Sequence, residues 1–169
     1  MALTDTYEVP EALRDDIAAR FTSLFGVLRE SRVALEQSIA VWTYKGEVPP
    51  EATRIEEIAE HTGWHHQVRV GERASAFARS RTEQVVEIAA GFMALQIEEI
   101  VDGADSRPEV LIRILDVPEQ LLQAVWLKYP DRDDLYIVAG TGNAMGQHVS
   151  GAVFLALLGR EPAVTGVEL

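Results

Sequence analysis

The chain has 169 residues, 47% of them hydrophobic and 25% charged, with a formal net charge of -12 and no cysteine. Ordinary globular composition argues against disorder, and the missing thiols exclude disulfides, thiolate metal sites and a cysteine nucleophile. The acidic field works against a nucleic-acid partner, and no apolar run approaches the roughly 18 residues of a membrane-spanning helix.

These features predict one α+β domain over residues 1–169, in the cytoplasm, with no membrane partner; the acidic opening MALTDTYEVPEALRDD lacks the order of a secretion signal. From Pro10 to about Tyr44, Leu13, Ile17, Phe21, Leu24, Leu28, Leu35, Ile39 and Trp42 recur at helical spacing. The spacing predicts one long N-terminal helix over 10–44, or two with a break near Gly26 to Ser31. Its stripe packs on the core or seats a second copy of the chain, giving a homo-oligomer. KGEVPP ends the segment, because paired prolines remove backbone donors. Ile55, Ile58 and Ala59 then predict a short helix over 51–61.

Residues 65–81, HHQVRVGERASAFARSR, fit either period. At period two they form a hairpin turning at Gly71 and Glu72, with Val68, Val70, Ala74, Ala76 and Ala78 inward; at period 3.6, Ala74, Phe77 and Ala78 open the next helix. The hairpin is favoured. A central helix is expected over Thr82 to Val101, with Val85, Ile88, Ala89, Phe92, Leu95 and Ile100 on its buried face. Three β-like runs follow, Val110 to Val117, Leu121 to Tyr129 and Leu135 to Gly140, whose short connections predict an antiparallel meander. A short helix closes the chain. The expected fold is thus α+β, with helices packed on an antiparallel sheet of hairpin plus meander.

Four stretches have the residue types of a site. In LYIVAGTGNAMG, Gly140, Gly142 and Gly146 approximate the glycine spacing that lets helix-terminal N–H groups approach a pyrophosphate. Only 23 residues follow Gly146, too few for the βαβ unit that chemistry needs, so a surface loop is expected and no cofactor is assigned. His61, His65 and His66, with Glu57 and Glu60, form E-x-x-E-H-x-x-x-H-H. Two histidines four apart on a helix can grip zinc, but Gly63 interrupts the helix, so no metal ligand is assigned. RIEEIAEHTGW is similar to the first helix and turn of the helix-turn-helix family, while Arg69, Gly71 and Glu72 fail the pattern of its second, base-reading helix.

The fourth is the cationic segment itself. Arg69, Arg73, Arg79 and Arg81 stand against Glu72 alone, a local charge of +3. In the hairpin they share one face with His65 and Phe77, and guanidinium forks beside an aromatic suit a carboxylate or phosphate. The alternative is pairing with acidic residues nearby. The expected ligand-binding residues are His65, His66, Arg69, Arg73, Phe77, Arg79 and Arg81, and the leading function is a binding or assembly module for an anionic small molecule. A metal-assisted or acid-base lyase or hydrolase at His61, His65 and His66 is the alternative. A DNA-binding regulator using 51–81 is the third.

Overall fold

A computed structural model describes residues 3–4, 8–25, 33–71, 74–81, 84–90, 92–104, 107–139 and 146–159. In chain order its elements are β1 (Leu3–Thr4), α1 (Glu11–Phe25), β2 (Val33–Tyr44), β3 (Ala59–Val70), β4 (Ala74–Arg81), β5 (Val85–Ala90), α2 (Phe92–Asp102), β6 (Leu111–Val117), β7 (Leu122–Lys128), β8 (Leu135–Ala139), β9 (His148–Ser150) and α3 (Gly151–Leu158). The strands form one mixed sheet in the order β5-β4-β3-β2-β6-β7-β8-β9, and β1 pairs with the start of β6. The pairs β2–β6 and β1–β6 are parallel, the others antiparallel. The expected helical layer on an antiparallel sheet is therefore corrected to a mixed sheet with three short helices.

The long helix over 10–44 is the largest correction. Leu13, Ile17 and Phe21, four residues apart, do lie on α1 and are buried against Trp64, Val68 and Ala78. Beyond it, Val33–Tyr44 is a central strand bonded to β3 on one side and β6 on the other. Its register slips between Leu35 and Ser38. An extra residue there turns Leu35 and Ile39 to opposite faces, so a spacing of four that reads as helical belongs to a bulged strand. Leu35 joins the core beneath α1, and Ile39 joins the core beneath α2. Of that stripe Leu13, Ile17, Phe21 and Ile39 are buried, Leu24 is exposed, and Leu28 lies outside the described residues.

Two other helices are also corrected. Residues 51–61 hold only a 3-10 turn, Ile55–Glu57, before β3 begins. Glu57 Oε2 accepts from the N–H groups of Thr53 and Arg54 at 2.8 and 2.9 Å and closes that turn. The central helix over 82–101 divides into β5 and α2; among the described side chains of α2, Ala94, Ile97 and Val101 are buried and Leu95 is exposed, and on β5 Val85 is buried. The hairpin over 65–81 and the three later strands are present as parts of the larger sheet. A further strand, β9, pairs with β8 and precedes α3. Among the described residues no helix is long and apolar enough to cross a membrane.

Alternation divides the sheet into two faces. Ile39, Val41, Ile112, Ile114, Val125 and Ile137 pack beneath α2. On the opposite face α1 covers Trp64, Val68 and Ala78, and α3 covers Leu115, Trp126 and Tyr136. Arg113 lies on that second face between two indoles, its guanidinium 4.6 Å from the Trp42 ring and 4.7 Å from the Trp126 ring, and donates to Glu56 at 2.9 Å.

A candidate small-molecule cleft on the concave face

Arg79 sits on β4 and Gln123 on β7, four strand intervals apart. In a flat sheet that separation is about 19 Å, farther than the two side chains can span. Arg79 Nη2 nevertheless donates to Gln123 Oε1 at 3.1 Å. The α2 face is therefore strongly concave, and three irregularities account for the curl. The register slips between Leu35 and Ser38 and between Val41 and Trp42 in the β2–β3 pair, and between Arg79 and Ser80 in the β4–β5 pair; each extra residue bends its strand and raises the local twist. Gly63 contributes a close approach. A Cβ there would overlap the Ser80 carbonyl oxygen and stand 2.8 Å from its carbon and 2.9 Å from Arg81 Cα.

The half of the concavity not filled by α2 is a cleft of about 650 Å³. Val41, Thr43 and Asp116 stand at the C-terminal ends of the parallel pair β2 and β6. Arg79, Arg81 and Glu87 line it from β4 and β5, and Gln123 and Pro118 from the far side. The volume falls within the range of small-molecule sites, and clefts at the carboxyl ends of parallel strands recur as such sites.

Arg79 is the deepest charge, only 8% exposed. Its Nε donates to His65 Nδ1 at 2.8 Å, and its guanidinium stands 5.9 Å from the Phe77 ring. Phe77 in turn stacks on His65 with centroids 4.9 Å apart. Because His65 Nδ1 accepts, the ring is neutral with its proton on Nε2. Burial, then the neighbouring Arg79 and His66, pushes the His65 pKa well below its ordinary value, in keeping with that tautomer. His65 thus orients the guanidinium. Burial also lowers the Arg79 pKa, partly offset by Asp116 and Glu87, yet among the described residues no carboxylate forms an ion pair with it. Asp116 is half-buried, and its pKa is raised by that burial against the pull of Arg79; no hydrogen bond or ion pair with a described residue engages its carboxylate.

The structure splits the residues singled out in the sequence. His65, Phe77 and Arg79 come together on the concave face, and Arg81 reaches the rim. Arg69 is held elsewhere by Glu36 at 2.6 Å and Glu98 at 2.8 Å. Arg73 lies outside the described residues, as do Gly140 and Gly142. His66 faces the other way, with Nδ1 2.8 Å from Ser38 Oγ and Nε2 2.7 Å from Ser80 Oγ. Adjacent strand residues point to opposite faces, so His65 and His66 cannot converge on one ion, and His61 packs against Trp42 and Trp64. Among the described residues no group of three potential metal ligands assembles. The segment 51–81, where a DNA-binding regulator would need a helix pair, is a 3-10 turn followed by a hairpin. Sequence reading missed Thr43, Glu87, Asp116 and Gln123. One signal was available: Asp116 and Gln123 interrupt the apolar face of otherwise alternating strands, and the register sets them opposite each other.

A second hollow of about 420 Å³ lies beneath the start of α3, with Asp134, Lys128 and Tyr136 in its walls. Asp134 is already engaged there by Trp126 Nε1 at 2.8 Å and by the Tyr129 N–H at 3.4 Å. The concave cleft is the site with a buried charge still to be matched. Comparison with protein families, with curated proteins and with solved structures finds no match to this chain.

Proposed function

We propose that this protein binds a small anionic molecule in the concave cleft, with Arg79 as the anchor. One observation carries the reading: a guanidinium that is 8% exposed has its Nε and one Nη2 hydrogen committed to neutral acceptors and no carboxylate in ion-pair contact among the described residues. Burying a charge without a counter-ion is costly, and a carboxylate or phosphoryl oxygen of a ligand would supply one. The remaining N–H groups present a fork suited to such an oxygen pair. His65 and Gln123 hold the fork in place beforehand, which lowers the ordering cost of binding.

The test uses inorganic phosphate, pyrophosphate and short mono- and dicarboxylates, with NMR observation of the arginine side-chain N–H groups. A cleft ligand shifts the Arg79 Nε–H resonance saturably. At a hundredfold excess over its dissociation constant it stabilises the fold by about 2.7 kcal/mol, a rise in melting temperature of roughly 5–10 °C for a chain of this size. Arg79→Met abolishes both responses. Perturbation of exposed arginines alone, with Arg79 unmoved by every anion, refutes the proposal.

A further inference from the structure

The charges around the cleft suit an anionic group that arrives with a cationic one better than an anionic group alone. Glu60, Glu87 and Asp116 line it together with Arg79 and Arg81, three formal negative charges against two positive. An anion entering this space is drawn to Arg79 but opposed by the rest of the lining. The two charges farthest from solvent are Arg79 and the half-buried Asp116. They influence each other electrostatically yet do not close into an ion pair, and Asp116 retains its full capacity to accept hydrogen bonds. Thr43, paired with Asp116 across the parallel strands, stands beside it in the lining. Two desolvated opposite charges facing one cleft without joining make a dipolar receptor, complementary to a ligand with both signs of charge.

We infer that the ligand is zwitterionic, its anionic group held by Arg79 and an ammonium or comparable cationic N–H donor held by Asp116. This rests on the reading of the cleft as a small-molecule site and names the ligand class. It also explains why a carboxylate persists in a position where burial disfavours its charge: the donor it awaits arrives with the ligand. A ligand bearing both groups pairs both charges at once, and the cleft then gains no net charge. A carboxylate of the same length leaves Asp116 unpaired and facing an aliphatic end, a mismatch that discriminates strongly because a desolvated polar group is left without its partner.

The experiment titrates the protein with ω-amino acids from 4-aminobutyrate to 6-aminohexanoate, and in parallel with the straight-chain carboxylates and alkylamines of matching length, following the Arg79 Nε–H resonance. At least one amino acid binds about tenfold or more tightly than its carboxylate. Asp116→Asn removes that preference while carboxylate binding persists, and Arg79→Met removes binding of both. The asparagine keeps the shape and relieves a desolvated charge, so its loss of preference is not a folding defect; its melting temperature at neutral pH verifies this. Carboxylates binding as tightly as the amino acids, or a preference that survives Asp116→Asn, overturns the zwitterion inference and leaves the anion site standing. Arg79 unmoved by any of the probes at millimolar concentration overturns both.

Discussion

Lowering the pH from neutrality should weaken the fold through His66. This ring is fully buried between α1 and the sheet, with both nitrogens in contact with serine hydroxyls. Burial first, then the positive charges of Arg14 and Arg79, depresses its pKa from 6.5 to about 4. Between those two values the unfolded chain binds a proton that the folded chain refuses. The contribution is therefore fully present above pH 6.5 and is lost as the pH falls toward 4. At about 1.36 kcal/mol per pH unit, the loss amounts to roughly 3 kcal/mol, a large fraction of the ~5–15 kcal/mol that holds a domain folded. His65 is shifted in the same direction, so the acid sensitivity of the native chain exceeds the share of His66 alone.

His66→Gln isolates that share, because the amide does not titrate and can still donate to one serine and accept from the other. Urea unfolding of both proteins at steps from pH 7 to 4 gives the free-energy difference, native minus variant, at each pH. It should shrink by roughly 3 kcal/mol across the window. A difference constant to within about 0.5 kcal/mol would refute the reasoning. Direct NMR titration of the ring in the folded protein is the second check, with a midpoint near 4 expected. A midpoint at or above 6.5 removes the burial argument even if the variant fails to fold.

Two further outcomes follow from the packing. Gly63→Ala forces β3 and β4 apart, since the added methyl meets backbone that no side-chain rotation can move. It should cost at least the about 1–3 kcal/mol of overpacking and diminish the response of Arg79 to anions; unchanged melting would show that the close approach is not needed for the curl. Arg113→Met and Arg69→Met should differ sharply. Removing Arg113, 7% exposed between two indoles and bonded to Glu56, should cost about 3 kcal/mol, the low end for breaking a buried pair because Lys128 still reaches Glu56. Removing Arg69, paired with Glu36 and Glu98 where solvent screens the charges, should cost far less. Equal losses in chemical denaturation would contradict the distinction.

The residues alone settled what depends on local periodicity with strong punctuation. Leu13, Ile17 and Phe21 after Pro10 specify α1. Alternation through Val68, Val70, Ala76 and Ala78 around Gly71 favours a hairpin over a helix, and in that hairpin Arg79, His65 and Phe77 share one face, because side chains alternate along any strand wherever the sheet later lies. Tertiary structure decided the rest. Leu35 and Ile39 suit a helix as well as a bulged strand, and only the neighbours β3 and β6, which bond to the backbone on both sides, choose between them. Val85 to Phe92 is similarly divided by pairing with β4. The cleft was least visible of all. Arg79, Asp116 and Gln123 come from β4, β6 and β7, and the curl of the sheet brings them to one space. That curl is the sum of bulges and a glycine contact across strands distant in sequence, so no single segment encodes it.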